Sequence, residues 1–226
     1  MFAFSCASTS KLPEGWTEEK LFQAACPRLL PKLEVKGEVW AKVQSPELSG
    51  QFPASVRAIS PNQLYLEVTN LIGSPQAWMK IENGKVDLKL TPENEKEWGR
   101  QSMKSIFAGL PIEFAPDLFL GRIPCPKQKA GDPAPEMKIL GNQLQVTAGK
   151  TRYLYGFSEY VHRPWPKAVT IEDSKIKLEV EFFSPLDPDR APLRWIASSP
   201  RGRIEVRWKD RRVDLDGKSI KSVGAI

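Results

Sequence analysis

The chain has 226 residues, 41% of them hydrophobic and 27% charged, and a net charge of +6. That length can bury a core of its own, that balance is the one of a folded globular chain rather than a disordered one, and no apolar run approaches the roughly 20 residues that cross a bilayer as a helix. The charge is uneven: from Arg190 to Ile226 ten Lys and Arg face four Asp and Glu, so this stretch carries the whole excess. Three readings of it stand side by side: a solvated basic hairpin, attraction to anionic lipid headgroups, and nucleic-acid binding. No RNP-type or zinc-finger motif supports the last.

At the amino terminus Ala3-Phe4-Ser5-Cys6 has the form of a lipobox end, a small residue before a cysteine that takes lipid, and the small polar residues after it suit a tether. A secretory signal needs a basic start and about 7–15 apolar residues, and five residues precede Cys6, so this reading expects a start further upstream. With Cys6 lipidated, Cys26 and Cys125 are left either to pair in an oxidising compartment or to pack as two small apolar thiols; the pair is the expectation adopted.

Thr17 before Glu18 and Glu19 starts a short helix, with acidic groups at the positive end of its dipole. Pro27 and Pro31 end it. The period then becomes two: Leu33, Val35, Gly37, Val39, Ala41 and Val43 alternate with mostly polar neighbours, followed by Phe52-Ala54-Val56-Ala58, Leu64-Leu66-Val68, Ala77-Met79-Ile81 and Val86-Leu88-Leu90. One apolar and one wet face suit an antiparallel sheet, and Asn83-Gly84 between two such runs is a hairpin turn. From Thr91 to Gly109 the spacing of Trp98, Ser102 and Ile106 with Met103 and Phe107 is helical. Cys125 to Pro135 reads as an exposed loop. Strands resume at Leu144-Val146, Tyr153-Tyr155-Phe157, Val169-Ile171 and Ile176-Leu178-Val180-Phe182. After a linker from Pro185 to Pro192, Ile204-Val206-Trp208 and Val213-Leu215 form a final hairpin about Lys209-Asp210-Arg211. About ten strands with few helices make a large curved sheet whose helices are small for covering it, which leaves an apolar concavity. The expected divisions are residues 1–16 as tether, 17–184 as the sheet domain and 185–226 as a basic C-terminal hairpin extension.

No catalytic set is legible, and no enzyme is expected. His162 is the one histidine, no Cys-x-x-Cys occurs, and neither a Gly-x-Ser-x-Gly elbow, a phosphate loop nor a His-Glu-x-x-His is present. No metal and no cofactor are expected.

From Gln63 to Pro126 the order of features is similar to the LolB family of outer-membrane lipoprotein receptors. Gln63-Leu64-Tyr65-Leu66-Glu67-Val68-Thr69-Asn70-Leu71-Ile72-Gly73-Ser74 resembles that family's strand running into a Thr-Asn-Pro-Leu-Gly-Ser-type loop. The strand with its Asn-Gly turn, the helical block, Gly109-Leu110-Pro111-Ile112 and Leu120-Gly121-Arg122-Ile123-Pro124 follow in family order, and the likeness covers roughly residues 33 to 183. The resemblance implies an incomplete antiparallel barrel with a small helical lid over an apolar cavity for acyl chains. The cavity would be lined by Leu64, Leu66, Val68, Met79 and Ile81, with Trp98, Ile106 and Phe107 from the lid. It also implies a membrane-targeting loop, here Leu71, Ile72 and Gly73, in which Ile72 matches the family's projecting leucine and Leu71 replaces its proline. The implied role is that of a monomer anchored through Cys6 to the periplasmic face of the outer membrane, taking acylated lipoproteins from a LolA-like periplasmic carrier and inserting them there, without nucleic acid. Two alternatives accompany it: a lipid-binding or carrier protein on the same fold without insertion, and a non-enzymatic scaffold lipoprotein.

Overall fold

The computed structural model describes Leu12 and residues 15–27, 33–46, 49–91, 110–127, 131–160, 163–175, 177–183, 192–215 and 218–223. The expectations placed on Cys6, Trp98, Ile106, Phe107 and His162 lie outside these residues. In chain order the elements are α1 (Glu18–Ala25), β1 (Leu33–Gln44), β2 (Ser49–Ile59), β3 (Gln63–Thr69), β4 (Pro75–Glu82), β5 (Lys85–Leu90), a 3-10 turn (Ile112–Phe114), α2 (Ala115–Phe119), β6 (Glu136–Leu140), β7 (Gln143–Ala148), β8 (Thr151–Tyr160), β9 (Arg163–Glu172), β10 (Lys177–Phe183), β11 (Arg194–Ser199), β12 (Gly202–Leu215) and β13 (Lys218–Val223).

From β1 to β12 alternating side chains place one face of each strand against the core, and the strands join in one antiparallel sheet in the order β5-β4-β3-β2-β1-β12-β11-β10-β9-β8-β7-β6, with β13 added to β12. Among the described residues β5 and β6 are not paired with each other, so the sheet does not close into a barrel. Laid flat, such a path at about 4.8 Å per strand would be ~50 Å wide. Leu64 and Met79 near one edge nevertheless share a connected core with Leu144 and Ile171 near the other, so the sheet curves around its buried face.

The strand directions define two ends. The distal end carries the β1–β2, β3–β4, β7–β8, β9–β10 and β11–β12 connections; the proximal end carries β2–β3, β4–β5, β6–β7 and β8–β9.

The C-terminal segment is not an appended hairpin. β11 and β12 lie in the middle of the sheet, and β12 pairs with β1 from Leu33↔Leu215 to Gln44↔Arg203. Lys209-Asp210-Arg211 is not a turn but a bulge in one 14-residue strand. The bulge shifts the alternation: Ile204, Val206 and Trp208 face the core before it, Arg211 and Val213 after it. Two runs out of phase resemble two strands, although they form one. Asp210 Oδ1 accepts the Glu38 N–H at 2.9 Å, and a Cβ on Gly37 would stand 2.4 Å from the Asp210 carbonyl oxygen, so only glycine fits opposite the bulge.

The same packing disperses the basic stretch. Arg211 is buried and donates to the Pro192 carbonyl at 3.1 Å. Arg194 and Arg207 both hold Glu205, at 2.9 and 2.6 Å. Burial alone would push the Glu205 carboxyl up, but the hydrogen bonds from Arg207 and Arg194 outweigh it and hold it below its ordinary value. Lys209 pairs with Glu38, and Lys36 with Asp214. These pairs line the outer face of the sheet.

Two pieces of non-strand chain cover the inner face. α1, capped by Thr17 Oγ1 accepting the Lys20 N–H, buries Leu21 and Ala25 and packs on β6, β7 and β9. The segment from Leu110 to Ile123 buries Phe114, Leu118, Phe119 and Leu120; α2 packs on β2 and β3, and Phe119 meets Trp195 and Trp208 edge-on at 5.4 and 6.2 Å. A Cys26–Cys125 disulfide joins the two pieces, and the buried Tyr155 hydroxyl donates to the Pro124 carbonyl at 3.0 Å beside it. The bridge spans a sequence separation of 99 residues. Replacing both cysteines with serine lowers the unfolding free energy by about 2–5 kcal/mol, read as a drop in denaturant midpoint; an unchanged midpoint would show that the tie contributes nothing.

Candidate functional site

β3 and β4 are joined at the distal end by Asn70-Leu71-Ile72-Gly73-Ser74, a loop built around one side chain. Asn70 Oδ1 accepts the N–H groups of Ile72 at 3.1 Å and Ser74 at 2.9 Å. The backbone closes over it: Asn70 N–H donates to the Ser74 carbonyl at 2.9 Å and Gly73 N–H to the Asn70 carbonyl at 3.0 Å. Gly73 takes φ +86°, a conformation L side chains rarely adopt. These bonds hold the loop in shape while its two apolar side chains face outward. Leu71 is 79% exposed and Ile72 87%, against 40% for Trp78 and Leu140, the other exposed large hydrophobics among the described residues. Each such side chain forgoes about 1.5–3 kcal/mol of burial, which a nonpolar partner would return.

The expected cavity residues come together on one face. Leu64 faces Ile81, Leu66 faces Met79 and Val68 faces Ala77 across the β3–β4 ladder. Leu64, Leu66, Met79 and Ile81 are buried in the common core and Val68 is half-buried against it.

Two open grooves flank α1. One, of about 770 Å³, is lined by Phe22, the Cys26–Cys125 bridge, Ile123, Pro126 and Met137, with Asp117, Arg122, Glu19, Lys127 and Asp132 among its polar members. The other, of about 640 Å³, is lined by Leu33, Val35, Trp165, Phe182, Val213 and Leu215. Gln23, Ala24, Pro27, Gly121, Arg122 and Pro166 belong to both, so the end of α1 and the Gly121-Arg122 turn stand between them. Both fall in the size range of small-molecule sites, roughly 300–1,000 Å³.

The second groove has a cause in the sequence. The β9–β10 ladder runs from Glu172↔Lys177 to Ala168↔Glu181 and stops there. Lys167 comes next on β9 and then Pro166, which has no N–H to carry the ladder on. The sheet parts at the proximal end, and Trp165 and Phe182 border the gap. The alternation pattern did not mark these residues; the Pro-Trp-Pro run in the strand was the available signal.

Arg122 lines both grooves and Asp117 the first, and Arg122 N–H donates to the Asp117 carbonyl at 2.8 Å. Burial pushes the Asp117 carboxyl up to about 6, with Arg122 and Lys127 opposing. Burial likewise lowers the Arg122 guanidinium, against the pull of Asp117. A proton on Asp117 therefore binds more tightly in the folded chain than in the unfolded one. Its contribution to stability is complete below the ordinary Asp range near 3.8 and is lost as pH rises through 6.

Asp117→Asn gains stability relative to the parent chain as pH rises from 4 to 7, measured as the difference in denaturant midpoints; a difference that stays flat across this range would mean the carboxyl is not raised. Asn70→Ala removes two acceptor contacts and costs about 1–2 kcal/mol, while Leu71→Ser/Ile72→Ser stays within about 0.5 kcal/mol of the parent. A large loss in the double variant would mean that the tip packs on the core.

No protein-family model matches the chain, and no curated protein does. Among solved structures it is similar to a LolA superfamily protein from Nitrosomonas europaea, at 11% identity over 86% of this chain and 90% of that one, with a TM-score of 0.41. It is also similar to a putative outer membrane lipoprotein-sorting protein domain from Vibrio parahaemolyticus, at 10% identity over 80% of this chain and 85% of that one, with a TM-score of 0.37.

Proposed function

We propose that this chain is a lipid-handling protein of the bacterial envelope that accepts acylated lipoproteins from a periplasmic carrier and delivers them to the outer membrane, held there through Cys6. The observation that carries the proposal is the tip: Leu71 and Ile72, exposed to 79% and 87% on a loop that its own hydrogen bonds hold in shape. The tip stands at the loop for which the sequence resemblance to LolB-type receptors implies a projecting apolar side chain. The grooves beside α1 supply apolar surface for cargo. Acyl chains bury at about 0.8 kcal/mol per CH₂, so a site for them must be apolar and long rather than rich in specific contacts. One inserted Ile returns only about 1.5–3 kcal/mol, so the tip docks the protein transiently and the anchor does the holding.

The test is a transfer assay from a loaded carrier to outer-membrane vesicles. Ile72→Glu slows delivery by at least about tenfold, the rate equivalent of 1.4 kcal/mol, while Leu140→Glu, at a comparably apolar but distant exposed site, does not. Normal delivery by Ile72→Glu would remove the tip from the mechanism. Native mass spectrometry of the same variant reads bound acyl lipid separately. Bound lipid with no delivery by even the parent chain would favour a carrier without insertion activity.

A further inference from the structure

The turns at the two ends of the sheet differ in charge. At the proximal end Pro61-Asn62, Asn83-Gly84 and Gly141-Asn142 carry none. At the distal end Gly149-Lys150, Ser174-Lys175 and Pro200-Arg201 each carry a cation, and Lys89, Lys177 and Arg203 sit on the adjoining strand ends. All six side chains are exposed, and none joins an ion pair among the described residues. Among the described residues, Glu67, Glu136 and Glu179 lie toward this end and offset part of that charge. Glu172 pairs with Arg152, and Asp173 accepts from the Thr151 hydroxyl at 3.2 Å and the Lys175 N–H at 2.6 Å.

The apolar tip is at this same end. We infer that the distal end is a docking surface for membranes containing anionic phospholipid, in which Leu71 and Ile72 enter the nonpolar layer and Lys150, Lys175 and Arg201 with their neighbours meet the headgroup phosphates. The inference rests on the membrane-tip reading and adds the lipid class that the surface selects. Neither element suffices alone: two apolar side chains give weak, unselective binding, and unpaired cations give binding that salt removes. Each basic residue close to an anionic surface strengthens binding roughly fivefold.

The experiment is co-sedimentation of the full chain, unacylated, with vesicles of phosphatidylcholine alone and of equal parts phosphatidylcholine and phosphatidylglycerol, at low and high salt. The parent chain prefers the mixed vesicles, and salt removes the preference. Lys150→Gln/Lys175→Gln/Arg201→Gln weakens binding to mixed vesicles on the order of 100-fold and leaves binding to phosphatidylcholine unchanged. Lys85→Gln/Arg163→Gln/Arg212→Gln, an equal loss of exposed charge toward the proximal end, changes neither. Equal losses in the two triple variants, or a parent chain without preference, would overturn the inference. Leu71→Ser/Ile72→Ser separates it from the reading beneath it. If that variant weakens both vesicle types and the distal triple weakens neither, the tip stands and the charged surface falls. If the distal triple weakens binding and the tip variant does not, the charged surface stands and the tip reading falls.

Discussion

The ladder between β1 and β12 is the interaction on which the rest of the molecule depends. It joins the first long strand of the chain to the last long one, from Leu33↔Leu215 to Gln44↔Arg203. On one side of it lies the meander β2 to β5, on the other the meander from β11 back to β6. Each meander alone would be a sheet with one bare apolar face. Joined at their centre, they curve around one core that also takes in α1 and the segment from Leu110 to Ile123. The ladder is tolerant of its own irregularity only because Gly37 lets the Asp210 carbonyl approach to a distance that no Cβ allows.

A continuous sheet also fixes where its ends point. The tip hairpin projects from one end of a frame whose hydrophobic side chains are otherwise mostly buried, and the loop needs no contact with the core to keep its shape. The parting of β9 and β10, with residues from the proximal parts of β1 and β12, opens a groove toward the other end. On the proposed reading this separation assigns the two tasks to different places. The tip acts as a docking element and not as a wall of the cargo site, and the disulfide between Cys26 and Cys125 holds the two covering pieces beside the grooves.

Much of this was legible in the sequence because alternation reports burial directly. Val35, Val39 and Val43, then Leu64 and Leu66, then Met79 and Ile81 were assigned to one apolar face, and all are buried. The antiparallel curved sheet followed from the same pattern, and its open edge from what the family resemblance implied. What alternation could not show was long-range pairing. The basic stretch after Pro185 looked separable because its charges read as a solvated face; instead Arg194, Arg207 and Lys209 lie on mid-sheet strands held by Glu205 and Glu38, and Arg211 is turned inward. The bulge at Asp210 reversed the phase of the pattern and made one strand resemble two. Asn70-Leu71-Ile72-Gly73 was marked only by its resemblance to the LolB-type loop; the Asn70 side chain that caps the loop and the positive φ of Gly73 are local devices that alternation does not report. The second groove was missed because it borders a ladder ending, a tertiary event signalled only by the Pro-Trp-Pro run in β9.

The central claim is that the distal tip enters lipid. The direct measurement places a fluorophore at position 72 (Ile72→Cys) and, separately, at the proximal turn (Asn83→Cys), each in a Cys6→Ser background, and compares quenching by bromine atoms carried on the acyl chains of phosphatidylglycerol-containing vesicles. Strong quenching at position 72 and none at position 83 is the predicted result. A fluorophore at position 72 that remains unquenched on vesicle-bound protein, or equal quenching at both ends, would contradict the account.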